Sequence, residues 1–263
     1  MTRSALQRAA SDEAQSEQQV RFAATEQLAR ELAERYRDAT AQGLIAAMVH
    51  DVFQGRIALQ SSFGAEASVL LHLVADVAPS TPVIFLNTGK LFGETLRYRD
   101  ALVDRLGLTD VRSIAPEAER VESLDPDGVL WYGNPDMCCY IRKVEPLQRA
   151  LAGFDAYFTG RKMFHGGERA TLARVEAKDD GRIAVNPLAD WHLADVDAYI
   201  TAHDLPRHPL QEQGFLSIGC MPCTDRVQPG EDVRAGRWRN QEKTECGIHD
   251  PSARWRFMGI DSP

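Results

Sequence analysis

Residues 56–107 read RIALQSSFGAEASVLLHLVADVAPSTPVIFLNTGKLFGETLRYRDALVDRLG. A short apolar run, RIALQSSF, passes through a turn of small residues into GAEASVLLHLVADVA, whose apolar positions recur at helical spacing. A second run, PVIFLN, leads in the same way into LFGETLRYRDALVDRLG. Short strands alternating with longer helices predict right-handed βαβ crossovers. The fold class is therefore α/β, a mostly parallel twisted sheet with helices on both faces.

The alternation continues outward. VRSIA reads as a third strand, NPDMCCYIRKVEPLQRALAGF as a helix and DAYFTG as a fourth strand. TLARVE and RIAVNPL suit a short hairpin around Asp179-Asp180-Gly181, and LADVDAYITAHD suits a helix. Upstream, ATEQLARELAERYRDA places Leu28, Leu32 and Tyr36 on one helical face, and GLIAAMVHDVF forms a second helix starting after Gly43. Residues 1–19 are polar and predict a disordered or loosely helical tail. Residues 20–228 then form a single α/β domain, and the irregular stretch 229–263, with Pro229, Gly230 and Gly236, is a mobile C-terminal tail.

Charge narrows the function classes. The net charge of −8 disfavours a nucleic-acid-coating protein, because counterion release needs a broad basic surface. Cations are clustered instead, at Arg161-Lys162, at Lys143 and at Arg234, Arg237 and Arg239, which suits a focused anion pocket. No apolar run approaches bilayer length and the start MTRSALQRAASDEAQSEQQ has no apolar signal core, so no membrane partner and a cytoplasmic location are expected.

On a parallel sheet, ligands bind at the carboxyl ends of the strands, here SSFGAE, LNTGK and TGRK. In Ser61, Ser62, Phe63, Gly64, Ala65 and Glu66 mostly small residues precede a helix, so backbone N–H groups and a helix N-terminus can face a phosphate. The Lys of a Walker A loop is missing, which disfavours a P-loop NTPase. Leu86, Asn87, Thr88 and Gly89 end the next strand in the same manner, and two strand ends then converge on one ligand.

Five cysteines fall as two pairs and a single. Cys138-Cys139 lies in the first turn of a predicted helix, with Asn134 as N-cap and Pro135 at the first helical position; a helix N-terminus favours thiolate. Cys220 and Cys223 have the two-residue gap that turns both sulfurs toward one metal. Four thiolates suit Zn²⁺ or a [4Fe–4S] cluster, and directly adjacent ligands suit a cluster with separated iron corners better; zinc and a redox disulfide stay open. Cys246 sits alone in KTECGIH, where Lys243 and His249 favour its thiolate and Glu245 opposes it.

Taken together, SSFGAEAS, LNTGKLFGET, CCYIRKVEPL, TGRK with Arg169, CMPC, EDVRAGRW and KTECGIH stand in the order found in a known family. From about Gly55 to His249 the chain resembles the adenylyl sulfate (APS) and 3′-phosphoadenylyl sulfate (PAPS) reductases of assimilatory sulfate reduction, and within them the iron-sulfur, APS-using branch. The resemblance implies an adenine nucleotide α-hydrolase-like fold, with APS held by residues 61–66 and 86–89. It implies one [4Fe–4S] cluster on Cys138, Cys139, Cys220 and Cys223. Arg161, Arg169, Arg234, Arg237 and His249 would contact phosphate or sulfate, and Lys143, one helical turn or about 6 Å beyond Cys139, would face cluster and substrate together. Cys246 would attack the sulfur, AMP would leave, and thioredoxin or a thioredoxin-like reductant would release sulfite, in the service of cysteine biosynthesis. Homo-oligomerisation is left open.

Two departures bear on the substrate. Asn87 stands where many relatives carry Asp, and residues 161–168 differ from the Arg-rich, Gln-Ser-containing loop of the PAPS branch, in keeping with a nucleotide lacking a 3′-phosphate. A PAPS or dual-specificity reductase is the alternative. From other classes, a zinc-stabilised nucleotide-binding module, which metal analysis would separate, and an ATP pyrophosphatase share parts of the pattern, but the pyrophosphatase gives KTECGIH no purpose.

Overall fold

Strands β1 (Ile57–Ser61), β2 (Val83–Leu86), β3 (Val111–Ile114), β4 (Ala156–Phe158), β5 (Val175–Ala177) and β6 (Ile183–Val185) join in one sheet in the order β3-β2-β1-β4-β6-β5. This computed structural model describes residues 3–239, 241 and 243–248. The pairs β1–β2, β2–β3, β1–β4 and β4–β6 are parallel, and β5 alone runs antiparallel, to β6, as the expected hairpin.

Alternation along the strands divides the core between two faces. Ile57, Leu59, Val83, Phe85, Phe158 and Val185 face one cluster, which also holds Val69, Leu71 and Val74. Ala58, Ile84, Leu86, Tyr157 and Ala184 face the other, against Leu147 and Leu151. Helices therefore cover both faces: α2 (Ala41–Ala47) and α3 (Ala67–Val77) contribute to the first, and α8 (Glu145–Ala150) to the second. Burying each such aliphatic side chain contributes about 1.5–3 kcal/mol.

The remaining helices are α1 (Arg3–Arg35), α4 (Gly93–Leu106), α5 (Ala118–Leu124), α6 (Leu130–Gly133), α7 (Pro135–Cys139) and α9 (Leu193–Ala202). Residues 3–19, expected as a disordered or loosely helical tail, form the first half of α1. That helix lies against β5 and, with the turn that follows it, presents Ala29, Leu32, Ala33 and Tyr36 to the core, an i, i+3, i+4, i+7 stripe; Leu28, expected on the same face, is exposed. Thr40 caps α2 by accepting the Gly43 N–H, so the helix starts before Gly43 rather than after it.

The long helix expected over 134–154 is α7 and α8 joined by a π-helical turn, Tyr140–Val144. Pro146 has no N–H with which to continue the α ladder, and the Glu145 N–H reaches back five residues to the Tyr140 carbonyl. Lys143 is carried on this turn. Among the described residues no helix is long and apolar enough to cross a membrane.

Candidate active site

From β1 the chain builds outward through β2 and β3, then returns to lay β4 on the other side of β1. The crevice of such a sheet opens at the carboxyl ends of those two central strands. Here the β1 end turns sharply at Phe63, whose φ of 48° is uncommon for a residue with a side chain. Its ring is fully buried, edge-on to Phe85 at 5.4 Å, and its N–H donates to Ser61 Oγ at 3.2 Å. Burial of the ring offsets a strain of about 1–3 kcal/mol. Phe63, expected as a substrate contact, thus anchors the loop from below and leaves Ser62, Gly64, Ala65 and Glu66 to line the cavity above.

Those residues line a cavity of about 200 Å³. Ser61, Arg161, Arg169, Arg234, Arg237, Lys143 and Cys246 line it too, so most of the expected site residues meet in one place. Leu86 and Thr88 instead line an adjoining cavity of about 50 Å³ that shares Ser61, Ser62 and Lys143 with the first. Asn87 and Gly89 line neither; the Gly89 N–H donates to Asn87 Oδ1 at 3.3 Å and closes the turn. His249 lies outside the described residues.

Glu66 receives Lys162 Nζ at 2.6 Å and His165 Nε2 at 3.2 Å. Burial alone would raise the carboxyl pKa, but His165 and Lys162 outweigh it and bring it to about 2. Lys162 also donates to the Gly160 carbonyl at 3.0 Å, tying the end of β4 to the start of α3. Neither His165 nor Glu66 as an ion-pair partner was legible from residue type; the partners of Glu66 lie 96 and 99 positions along the chain.

The thiols come from two directions. Asn134 Oδ1 accepts the Met137 N–H at 3.0 Å with Pro135 at the start of α7, as the sequence predicts, and Cys138 and Cys139 are both buried. The loop with Cys220 and Cys223 docks on the β2 end: the Met221 N–H donates to the Lys90 carbonyl at 2.7 Å, and Thr88 Oγ1 lies 3.2 Å from Cys220 Sγ. The same loop delivers the arginines. The Asp225 N–H donates to the Gly236 carbonyl at 2.7 Å, and a Cβ on Gly236 would stand 2.1 Å from the Asp225 oxygen, so only glycine allows this crossing. Arg234 stands just before this crossing, and Arg237 and Trp238 just after it.

Burial pushes the Cys138 thiol up to about 11 and Cys139 up to about 12. Burial would raise Cys220 as well, but Lys143, Thr88 and Arg237 bring it below the usual thiol value. Burial would lower the Lys143 ammonium, yet Cys220, Cys246 and Cys139 together raise it. One cation therefore faces thiols from three segments. Next to it on the π turn, Arg142 donates to Asp125 at 2.7 Å and to the Thr88 carbonyl at 2.9 Å; Asp125, fully buried, gave no signal in the sequence.

Among the described residues no three His, Cys, Asp or Glu side chains converge as a site for one metal ion requires. The chemistry of the donor set fits a larger sulfur-liganded group: four thiols, of which Cys138 senses the charge of Cys220 and Cys223, with Lys143 and Arg142 close by. Two buried donors beside them, Arg142 Nε and Trp238 Nε1, have no protein partner among the described residues, as acceptors on such a group would require.

Cys246 is half-buried at the cavity and is held by its neighbours. Lys243 pairs with Asp136 on α7. Glu245 takes two hydrogen bonds from Arg169, at 2.7 and 2.9 Å, and one from Arg234 at 3.1 Å. Arg161 pairs with Glu176.

A family model for the phosphoadenosine phosphosulfate reductase domain matches residues 56–226, the span that builds the sheet, the cradle and all four paired thiols. The chain belongs to that reductase family. Within the family it is similar to the adenosine 5′-phosphosulfate reductase of Mesorhizobium japonicum, 52% identical over 78% of this chain and 81% of that one. It is also similar to the adenosine 5′-phosphosulfate reductase of Chelativorans sp., 48% identical over 84% and 90%. The phosphoadenosine 5′-phosphosulfate reductase of Gloeobacter violaceus is 38% identical over 83% and 92%. Among solved structures, PAPS reductase from Candida auris superposes with a TM-score of 0.63 at 26% identity, covering 76% of this chain and 96% of that one. The FMN adenylyltransferase of Candida glabrata, at a TM-score of 0.50 and 15% identity over 85% and 84%, shares the fold alone. The expected α/β class and the expected family both hold.

Proposed function

We propose that this chain reduces adenylyl sulfate to sulfite and AMP in sulfate assimilation for cysteine biosynthesis, with Cys246 as the nucleophile. The observation that carries the reading is that Cys246, Lys143, four arginines and the 61–66 loop border one cavity at the ends of β1 and β4. The loop and the N-terminus of α3 bind the nucleotide, and Arg169, Arg234 and Arg237 orient its phosphosulfate.

The Cys246 thiolate attacks the sulfate sulfur. The bond from sulfur to the phosphate oxygen breaks, its electron pair leaves with AMP, and an S-sulfonate remains on Cys246. Lys143 and the arginines balance the charge that gathers on the oxygens as the leaving bond lengthens. A dithiol reductant of the thioredoxin class then attacks Cys246 Sγ, sulfite departs with the bonding pair, and the second thiol of the reductant resolves the mixed disulfide. Cys138, Cys139, Cys220 and Cys223 would hold a [4Fe–4S] cluster, which when bound supplies a fixed anchor and a local field beside Lys143. What supports the cluster is that Cys138 senses the charge of Cys220 and Cys223, and Cys139 that of Cys220, together with the unpartnered donors. A cytoplasmic location goes with this chemistry.

Mixing reductant-free protein with APS and mapping peptides by mass spectrometry tests the proposal. An added sulfonate on Cys246, absent in Cys246→Ser, is expected; an unmodified Cys246 refutes it. PAPS is the second substrate to try, since relatives named for it cover most of the chain. Preferential turnover of PAPS would reassign the nucleotide and leave the thiol chemistry in place.

A further inference from the structure

The pocket's arginines are already engaged. Arg169 and Arg234 point at one carboxylate, that of Glu245, in a two-pronged contact from Arg169 and a single one from Arg234. All three side chains are largely shielded, at 13%, 15% and 22% exposure. A planar guanidinium grips a carboxylate in the way it grips a phosphate or sulfate oxyanion, through two parallel N–H groups. Two guanidiniums on one carboxylate leave an excess of positive charge, as a site built for a more highly charged anion would. Arg169 is held from behind by His165, at 3.2 Å, which itself bonds Glu66. Arg234 also donates to the Thr244 carbonyl at 2.8 Å, so both of its contacts are to the segment that carries Glu245 and both part when that segment moves. Arg169 is therefore fixed in place whichever anion sits on it, and Arg234 is freed together with Glu245.

Glu245 is also the residue before Cys246, so their Cα atoms are about 3.8 Å apart. Whatever displaces the carboxylate shifts the thiol. We propose that Glu245 is a tethered stand-in for the nucleotide's anion: it seats on Arg169 and Arg234 in the ligand-free chain, yields them to the phosphosulfate, and in leaving resets the position of Cys246. This rests on the assignment of those arginines to the phosphosulfate made above. Burial would raise the Glu245 pKa, but Arg169 and Arg234 bring it below the usual carboxylate value, so the stand-in is an anion at neutral pH. The exchange keeps the thiol stored against the protein until an oxyanion arrives, and it makes the tail a competitor of the substrate.

Two measurements on full-length, cluster-loaded protein test this. In the first, APS is titrated calorimetrically into Cys246→Ser, which cannot turn over, and into Cys246→Ser/Glu245→Gln. Removing the competing charge is expected to tighten APS at least threefold; an unchanged or weaker Kd overturns the proposal. In the second, alkylation of Cys246 is timed by peptide mass spectrometry in sodium sulfate and in sodium chloride of equal ionic strength. Sulfate is expected to speed the reaction at least threefold in the parent, and Glu245→Gln to react fast in both salts. Equal parent rates in the two salts overturn the proposal. Should neither serine variant bind APS while sulfate still frees Cys246, the substrate assignment falls and the exchange at the arginine pair stands.

Discussion

The 61–66 loop and the 243–246 segment face each other across one cavity and are held there by opposite means. The loop is fixed by burial: Phe63 is sunk in the core and Glu66 is locked to Lys162, whose side chain is 3% exposed. The segment is fixed by ion pairs at its rim, Lys243 with Asp136 and Glu245 with Arg169 and Arg234. Burial makes a surface that does not yield, which suits binding a nucleotide in one pose. Ion pairs part when a better anion or more salt arrives, which suits the proposal that this thiol serves first a small substrate and then a protein reductant.

The contrast breaks most visibly at Phe63. Phe63→Ala should cost about 3–5 kcal/mol in chemical denaturation, because it empties a fully buried ring site. Cys246→Ser should stay within about 0.5 kcal/mol of the parent in the same measurement while sulfite formation is lost. Comparable destabilisation by the two would erase the distinction.

Lys162→Met comes next, at about 3 kcal/mol, since it strands a buried carboxylate. Glu66 has a pKa near 2 in the folded chain, below the ordinary 4.5, so its contribution is complete above about pH 4.5 and fades as pH falls toward 2. Without Lys162 the carboxyl binds a proton more readily. The stability gap to the parent should therefore be narrower at pH 4 than at pH 7, and a gap that widens in acid would contradict the pairing.

A third, smaller effect belongs to the buried side as well. His208 is fully buried between Thr95 Oγ1, 3.0 Å from its Nε2, and the Leu210 N–H, which donates to Nδ1 at 3.2 Å. Burial lowers its pKa from 6.5 to about 4, so the ring is neutral, and stability is complete above pH 6.5 and lost as pH falls toward 4. About 2–3 kcal/mol should disappear over that window, and His208→Gln should flatten the slope. An unchanged slope would place the acid sensitivity elsewhere. Last, Lys243→Ala should cost the tail about 0.5–1 kcal/mol, read as a two- to fivefold faster alkylation of Cys246 that merges with the parent at 1 M salt. A difference that survives high salt would mean that packing, not charge, holds the segment.

Reading the chain from residues alone went furthest where structure is local. Apolar runs marked the strands, Asn134-Pro135 marked the start of α7, and counting cysteines as two pairs and one picked out the thiols that face Lys143 from three segments. It failed where contacts are distant. Glu245 meets Arg169 across 76 positions and Arg142 meets Asp125 across 17, and no spacing rule announces either. Phe63 looked like a member of a ligand loop because it stands between small residues; its burial depends on Phe85, from another strand. The π turn escaped because Pro146 shifts the helical register without ending the helix. Gly236 looked like loop punctuation, and only the crossing at Asp225 shows why no side chain fits there.

The outermost strand, β5, has α1 beside it, with Thr25 Oγ1 donating to the carbonyl of Gly181 in the neighbouring turn at 3.3 Å. A sheet margin left bare is an invitation to pair with any extended peptide, and molecules so exposed stick to one another. The amino-terminal helix is thus expected to guard solubility: a version lacking residues 1–40 should precipitate where the parent stays dissolved.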